Sequence, residues 1–356
     1  MLKRFWIFIL SVFLLTGCSN SIKKEEISFM SWGSITEVKI LNEIIENFEQ
    51  ENPKLKINFI HVPQNYYQKL HLLFASNTAP DVIFINNLYL PVYEAFLEDL
   101  SAHINQEEFY IQAIEGLSYD NKLLAVPRDI SNLVLYVNTD YVGEIKFSTM
   151  DDLLKSLKNI SKTGKFGISF EEDIYWALPY LSYFGEVFNE KYDPKKSEGL
   201  EFYLNLREKY YFAPSKSEIG SSTLAQMFLN EQVLIYLSGR WMFPKIKEKA
   251  KFNWAVAPFP TGKNPQPCDS SGWALSKSSK HKEASLKFIQ YLSSEKSSKY
   301  FANTGLIVPA RKEASKILNN KEYNEFIFLD VIKDSKSTTV TKNYSRLVSE
   351  FNMRNF

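Results

Sequence analysis

Apolar positions in the first third of the chain follow two alternating periods. Ile27 to Trp32 reads as a strand. Val38, Leu41, Ile45 and Phe48 then recur at the spacing of one face of a helix. Ser34-Ile35-Thr36-Glu37 fits the start of that helix, because the Ser34 hydroxyl can accept from the Glu37 N–H while the Glu37 carboxylate reaches back. Glu51-Asn52-Pro53 ends it, since proline pushes the preceding residue out of the α region. Ile57, Phe59 and Val62 mark a second strand. Tyr67, Leu70 and Phe74 mark a second helix, ending near Ser76-Asn77-Thr78. Val82-Ile83-Phe84-Ile85 is a continuous apolar run, as expected of a parallel strand covered on both faces.

This order of strands and helices predicts an α/β fold. It returns later, with strands expected at Leu133–Val137, Val233–Leu237, Phe252–Ala257 and Gly272–Leu275. Helical patterns occupy Leu224–Phe228 and Glu283–Leu292, the latter with Ala284, Phe288, Ile289 and Leu292 on one face. Pro258, Pro260, Pro265 and Pro267 crowd one loop, which suits an interdomain connection or a rim. A length of 356 residues predicts two domains.

The first residues follow another logic. Lys3 and Arg4 precede Phe5–Leu15, apolar apart from Ser11. Those eleven residues would rise only about 16 Å as a helix, against a hydrocarbon core of about 30 Å. The segment therefore reads as an export signal rather than a span. Leu15-Thr16-Gly17-Cys18 resembles a bacterial lipobox, whose cysteine takes a diacylglyceryl group and becomes the first mature residue. The resemblance implies a signal peptide over 1–17, a lipid-anchored tether over 18–26, and an extracytoplasmic remainder held to the membrane through Cys18. A single acyl chain gives only marginal anchoring. The alternative is an ordinary secreted protein in which Cys18 is incidental. If Cys18 is lipidated, Cys268 has no partner, and stability must come from burial rather than disulfides.

The chain holds 42 Lys+Arg and 41 Asp+Glu, and loses Lys3 and Arg4 with the signal. That near-neutral balance gives no electrostatic case for nucleic acid or a polybasic membrane patch. No phosphate-binding glycine loop, dinucleotide fingerprint, zinc-protease motif or nucleophile elbow occurs. His61, His71, His103 and His281 are widely spaced, and no metal or cofactor is expected. Asp151-Asp152 and Glu171-Glu172-Asp173 are the carboxylates that could serve glycoside cleavage. Asp151-Asp152 equally suits a helix start, where acidic groups meet the positive end of the dipole. No catalytic residue is assigned.

Several blocks occur in a recognisable order. They are Phe48–Pro53 leading to Leu55-Lys56-Ile57; Lys69-Leu70 through Ala79-Pro80-Asp81-Val82; and Tyr119–Leu123 through Ala125–Asp129 to Leu135–Asn138. Gly239-Arg240-Trp241, Ala257–Pro260, Ser276–Ala284, Gly305 and Val308–Arg311 follow. Together, over about residues 28–314, the chain resembles the extracellular solute-binding proteins of sugar ABC transporters, the broad family that includes maltose-binding protein. The resemblance implies a two-lobed, type II periplasmic-binding-protein-like fold with a ligand cleft between lobes joined by crossing hinge strands. Lobe 1 would comprise 27–128 and 258–309, and lobe 2 would comprise 129–257 and 310–356. It further implies a non-catalytic monomer that takes a sugar or oligosaccharide to ABC permease subunits. Tyr344–Phe356 departs from the family pattern of a further C-terminal helix with an Ala/Leu-rich face, which puts ligand contacts from that region in doubt.

A sugar offers apolar C–H faces and a rim of hydroxyls, which call for flat aromatics and planar donors and acceptors. Trp32, at the end of the first strand, is either a stacking platform or lobe-one core. Ser34 and Glu37 either meet ligand or only cap a helix. Asn86 and Asn87 follow the apolar run and either serve hydroxyls or form a turn. Arg128 and Asp129 stand at the expected first crossing; Asp129 takes two hydroxyls or the pair makes a hinge salt bridge. Trp241 matches the position where the family stacks its sugar from the second lobe, with helix-start core as the alternative, and Trp176 matches a helix near the cleft. Gly272 and Trp273, next to Ser271, are expected just before a lobe-one strand, with Gly272 admitting backbone contact and Trp273 either stacking or core. Arg240 holds an anionic group or sits on the surface. Three rival functions stay open: a ferric-iron or anion receptor, invited by Tyr66-Tyr67 and Tyr210-Tyr211, a surface glycoside hydrolase or lyase, and a lipoprotein that only holds partners.

Overall fold

The computed structural model describes residues 24–187, 191–318, 320–338 and 341–355. Cys18, the expected signal peptide and most of the tether lie outside the described residues. Eleven strands set the architecture: β1 (Glu25–Ser31), β2 (Leu55–His61), β3 (Val82–Asn86), β4 (Val126–Asn132), β5 (Val134–Asn138), β6 (Phe166–Ile168), β7 (Val233–Ser238), β8 (Trp254–Ala257), β9 (Gln266–Leu275), β10 (Val308–Pro309) and β11 (Ser335–Ser337). The helices that matter for the site are α1 (Ile35–Glu51), α2 (Tyr66–Ala75), α3 (Met150–Ser161), α4 (Ile174–Tyr183), α5 (Leu224–Leu229), α6 (Lys282–Leu292), α7 (Ile327–Lys333) and α8 (Tyr344–Asn355).

Local chemistry explains the clearest boundaries. The reciprocal Ser34–Glu37 capping box opens α1, and Asn52 closes it. Asp151 and Asp152 occupy the first turn of α3, where Asp152 completes a second capping box with Thr149. The larger sheet has the order β10-β4-β9-β3-β1-β2, with β11 added to β9. β1 pairs parallel with β2 and β3, whereas β9 runs antiparallel to β3 and β4. Val82–Ile85 thus has a parallel neighbour on one side only. All four of its residues are buried. The smaller sheet has the order β8-β5-β7-β6.

The chain passes between sheets at Leu133, where β4 leads straight into β5. It returns through the proline-rich loop between β8 and β9, and passes again between β11 and α8. The first boundary, expected after residue 128, therefore falls at Leu133, and Arg128 and Asp129 belong to the larger sheet. The segment expected to complete lobe 2, 310–356, divides. β11 pairs with β9 on the larger sheet. Tyr323 stacks on Trp254 of the smaller sheet, and Phe328 of α7 meets Phe243 and Tyr136. α8 joins the apolar cluster on the other face of the smaller sheet through Tyr344, Leu347 and Phe351. One apolar cluster thus runs from the larger sheet to one face of the smaller, and a second lies on the smaller sheet's opposite face.

Candidate ligand cleft

Strand ends bring the site together. β1 ends at Ser31, β3 ends at Asn86, and β7 ends at Ser238; Trp32, Leu88 with Tyr89, and Arg240 with Trp241 come shortly after these ends. Open α/β sheets gather ligands beyond such carboxyl ends. Here the ends, with α4 and the Leu306–Val308 segment, enclose a cleft of about 770 Å³. Of the residues singled out in the sequence, Trp32, Ser34, Glu37, Asn86, Arg128, Asp129, Trp176, Arg240 and Trp241 line it.

The aromatic rings fall into two groups. On the larger-sheet side, Trp32 is half-buried, its ring 4.3 Å from that of Phe84 and 4.7 Å from that of Tyr66. It is therefore core on one side and cleft wall on the other. Tyr67 and Tyr89 beside it stack with centroids 3.7 Å apart. On the smaller-sheet side, the Trp241 ring lies against Gly239, where an added Cβ would come within 2.0 Å of it, so that any larger residue there would displace the ring. Trp241 is 36% exposed and has Tyr175 as its aromatic neighbour. Trp176 packs edge-on to Tyr175 and donates its indole N–H to the Leu237 carbonyl.

The charges are mostly committed to one another. Arg128 donates to Asp129 and, at 3.3 Å, to Glu37, with its guanidinium over the Phe84 ring. Glu37 therefore caps α1 and holds Arg128 at once. Burial holds the Asp129 carboxyl above its ordinary range, outweighing the opposing pull of the Arg128 guanidinium. Burial likewise raises Asp173, which caps α4 through the Tyr175 N–H. Glu171 is pushed up to about 6 by burial and by the charges of Asp173 and Glu172. Arg240 is buried: it donates to Glu325 at 2.6 Å and to the Ile307 carbonyl at 3.1 Å. It is not the surface arginine that its sequence context suggests.

Three expected residues are placed elsewhere. Asn87 is 1% exposed and wholly committed: its carbonyl oxygen accepts from Ser270 N–H, and its amide donates to Asp269 and the Thr338 carbonyl. Gly272 and Trp273 lie inside β9, which already starts at Gln266, ahead of the expected start at Gly272. At Gly272 a Cβ would come within 2.3 Å of the Val126 carbonyl, so the glycine admits the close approach of β4 at a register shift, not a ligand. Trp273 is fully buried among Phe29, Phe84 and Phe301. Ser271, its neighbour, does reach the cleft.

The sequence reading missed Tyr89, Ser131, Asp173 as a wall residue, Tyr175, Leu306–Val308 and Tyr344. Tyr175 matters most. It rises from α4, yet its hydroxyl stands beside Ser131 and Asp269 of the larger sheet. Burial pushes Asp269 up to about 6. The tyrosine doublets do not form a metal site: Tyr66 donates to the Met30 and Phe84 carbonyls, Tyr67 accepts from the Asn86 N–H, and Tyr210 and Tyr211 are exposed outside the cleft. Among the described residues, no group of three His, Cys, Asp or Glu side chains gathers to hold a metal ion.

Two sheets joined by crossing strands, with an aromatic cleft between them, define a two-lobed α/β binding protein of the type II class. Residues 32–299 match the family described as bacterial extracellular solute-binding protein, and the chain belongs to that family. The maltodextrin-binding protein MdxE of Bacillus subtilis is 26% identical over 67% of this chain and 62% of its own length, so the match spans under two thirds of that relative. A galactooligosaccharide-binding protein of the same organism is 24% identical, over 76% of this chain and 70% of its own. Among solved structures, an ABC substrate-binding protein from Listeria monocytogenes in complex with cycloalternan superposes with a TM-score of 0.80 at 23% identity, covering 92% of this chain and 93% of that one. The maltotriose-binding protein of Thermus thermophilus gives 0.74 at 22%, covering 92% of each. At that identity the likeness defines the fold.

Proposed function

We propose that this protein is a non-catalytic receptor that captures a neutral oligosaccharide between its lobes and passes it to an ABC importer. The observation that carries this reading is the cleft wall. Trp32, Tyr67 and Tyr89 stand on one side, and Trp176 and Trp241 on the other, with polar groups between them. Such rings match the C–H faces of a sugar, and Ser34, Asn86, Ser131 and the carboxylates match its hydroxyls. The lining carries three carboxylates, Glu37, Asp129 and Asp173, and two guanidiniums, Arg128 and Arg240, each of which already faces a carboxylate. That balance favours a neutral ligand over an anion. The relatives named for maltodextrin and galactooligosaccharide support the same class.

A ligand that touches both walls stabilises the closed arrangement by its contacts to each lobe, and hinge bending at the crossings is how such lobes close. The permease would read closure as occupancy. Anchoring through a lipid on Cys18 would keep a monomeric receptor beside that permease, outside the cytoplasm.

A melting-temperature screen of the purified protein against linear α- and β-linked oligosaccharides tests the reading. A ligand at one hundred times its Kd is expected to add about 2.7 kcal/mol of stability, without being cleaved. No shift with any saccharide, or turnover of one, would overturn it.

A further inference from the structure

The strands of the larger sheet start at a second surface. β1 and β2 begin there side by side, at Glu25 and Leu55. β1 then runs to the cleft, its 7 residues rising about 23 Å. This pole therefore lies across the larger-sheet lobe from the ligand cleft. It holds an open groove of about 860 Å³ between the end of α1 and the first turns of α6, with the half-buried Leu55 and Leu286 in its lining.

The groove carries a local excess of positive charge. Lys54, Lys280 and Lys287 line it, are exposed, and have no ion-pair partner among the described residues. Two of its three glutamates are already engaged: Glu25 faces His281 at 2.7 Å, and Glu51 faces Lys296 at 3.1 Å. Glu283 is the lining carboxylate that meets no cation among the described residues, while Lys282 pairs with Glu98. The near-neutral total of the chain conceals this imbalance. The chain also enters the fold here. Lys24 is the first described residue, and six peptide steps back to Cys18 span at most about 22 Å. A lipid on Cys18 would hold this pole within that distance of the bilayer.

We propose that this pole docks on anionic phospholipid headgroups and sets the tethered receptor with its cleft facing away from the membrane. The inference rests on the lipid-anchored reading given above. Lysines near an anionic leaflet are drawn to it over about a Debye length, and the Lys54, Lys280 and Lys287 ammonium groups can donate to phosphate oxygens. The first turn of α6, which has no side-chain cap at His281, adds the positive end of its dipole to the same groove. Three lysines attract weakly, yet the anchor makes docking intramolecular, and the high effective concentration offsets the weak affinity. In the docked state the cleft receives saccharide from the outer side, and release from the lipid precedes hand-over to the permease.

Acetylation footprinting of the lipoprotein, purified with its own N-terminus and added to vesicles, tests this. On phosphatidylglycerol vesicles at low salt, Lys54, Lys280 and Lys287 should label about threefold or more slowly than on phosphatidylcholine vesicles. Lys155 and Lys158 of α3, on the smaller-sheet lobe, should label alike on both. Salt at about 0.5 M should erase the difference by screening. Lys54→Gln, Lys280→Gln and Lys287→Gln together should leave the melting temperature unchanged and remove any phosphatidylglycerol-dependent protection of the α6 amides in hydrogen exchange. Equal labelling of the three lysines on both lipids would overturn the docking inference while leaving the anchor and the saccharide reading intact. An N-terminal peptide whose mass shows no lipid on Cys18 would overturn the anchored reading and this inference with it.

Discussion

Trp241→Ala is expected to weaken oligosaccharide binding at least tenfold, about 1.4 kcal/mol, with little change in melting temperature. The indole rests on Gly239 and presents its remaining surface to the cleft. Removing it takes an aromatic face from the ligand, and the closed state loses one of the contacts that favour it. The fold has little stake in the ring, because Trp241 is among the exposed large side chains and lies outside both apolar clusters. Trp241→Phe should recover most of the affinity. Calorimetry on the variant alongside its thermal melt gives both readouts, and an unchanged Kd would remove Trp241 from the site.

Trp273→Ala should do the reverse. Replacing a large buried aromatic by alanine costs about 3–5 kcal/mol, through lost transfer free energy and the cavity left behind. Trp273 is fully buried, with rings of Phe84 and Phe29 at 4.7 and 5.6 Å and the Arg128 guanidinium over its own ring. Denaturant unfolding should show the loss in full. Binding by the fraction that stays folded should change far less than in Trp241→Ala, since Trp273 does not reach the cleft. A variant of native stability with weak binding would put Trp273 back in the site.

The contrast between these tryptophans shows what the sequence could convey. Each follows a glycine, Gly239-Arg240-Trp241 and Gly272-Trp273, and local context treats them alike. What separates them is the partner strand: β9 continues through Gly272 and pairs on both sides, whereas β7 stops at Ser238. Pairing across well over a hundred residues leaves no local trace. Asn87 shows the same blindness, for its turn-like context conceals three hydrogen bonds to β9 and Thr338. Short-range features were legible. The Ser34–Glu37 box, the stop at Asn52, the buried Val82–Ile85 run and the proline-rich return each depend on chemistry within a few residues. The aromatic wall built from Tyr89, Tyr175 and Tyr344 was not, because three separate segments supply it.

Small-angle scattering on the purified protein, with and without an oligosaccharide at saturating concentration, tests the two-lobed capture mechanism most directly. The account predicts a smaller radius of gyration on binding, as the lobes close over a ligand gripped from both sides. An identical scattering curve with the saccharide demonstrably bound would contradict it.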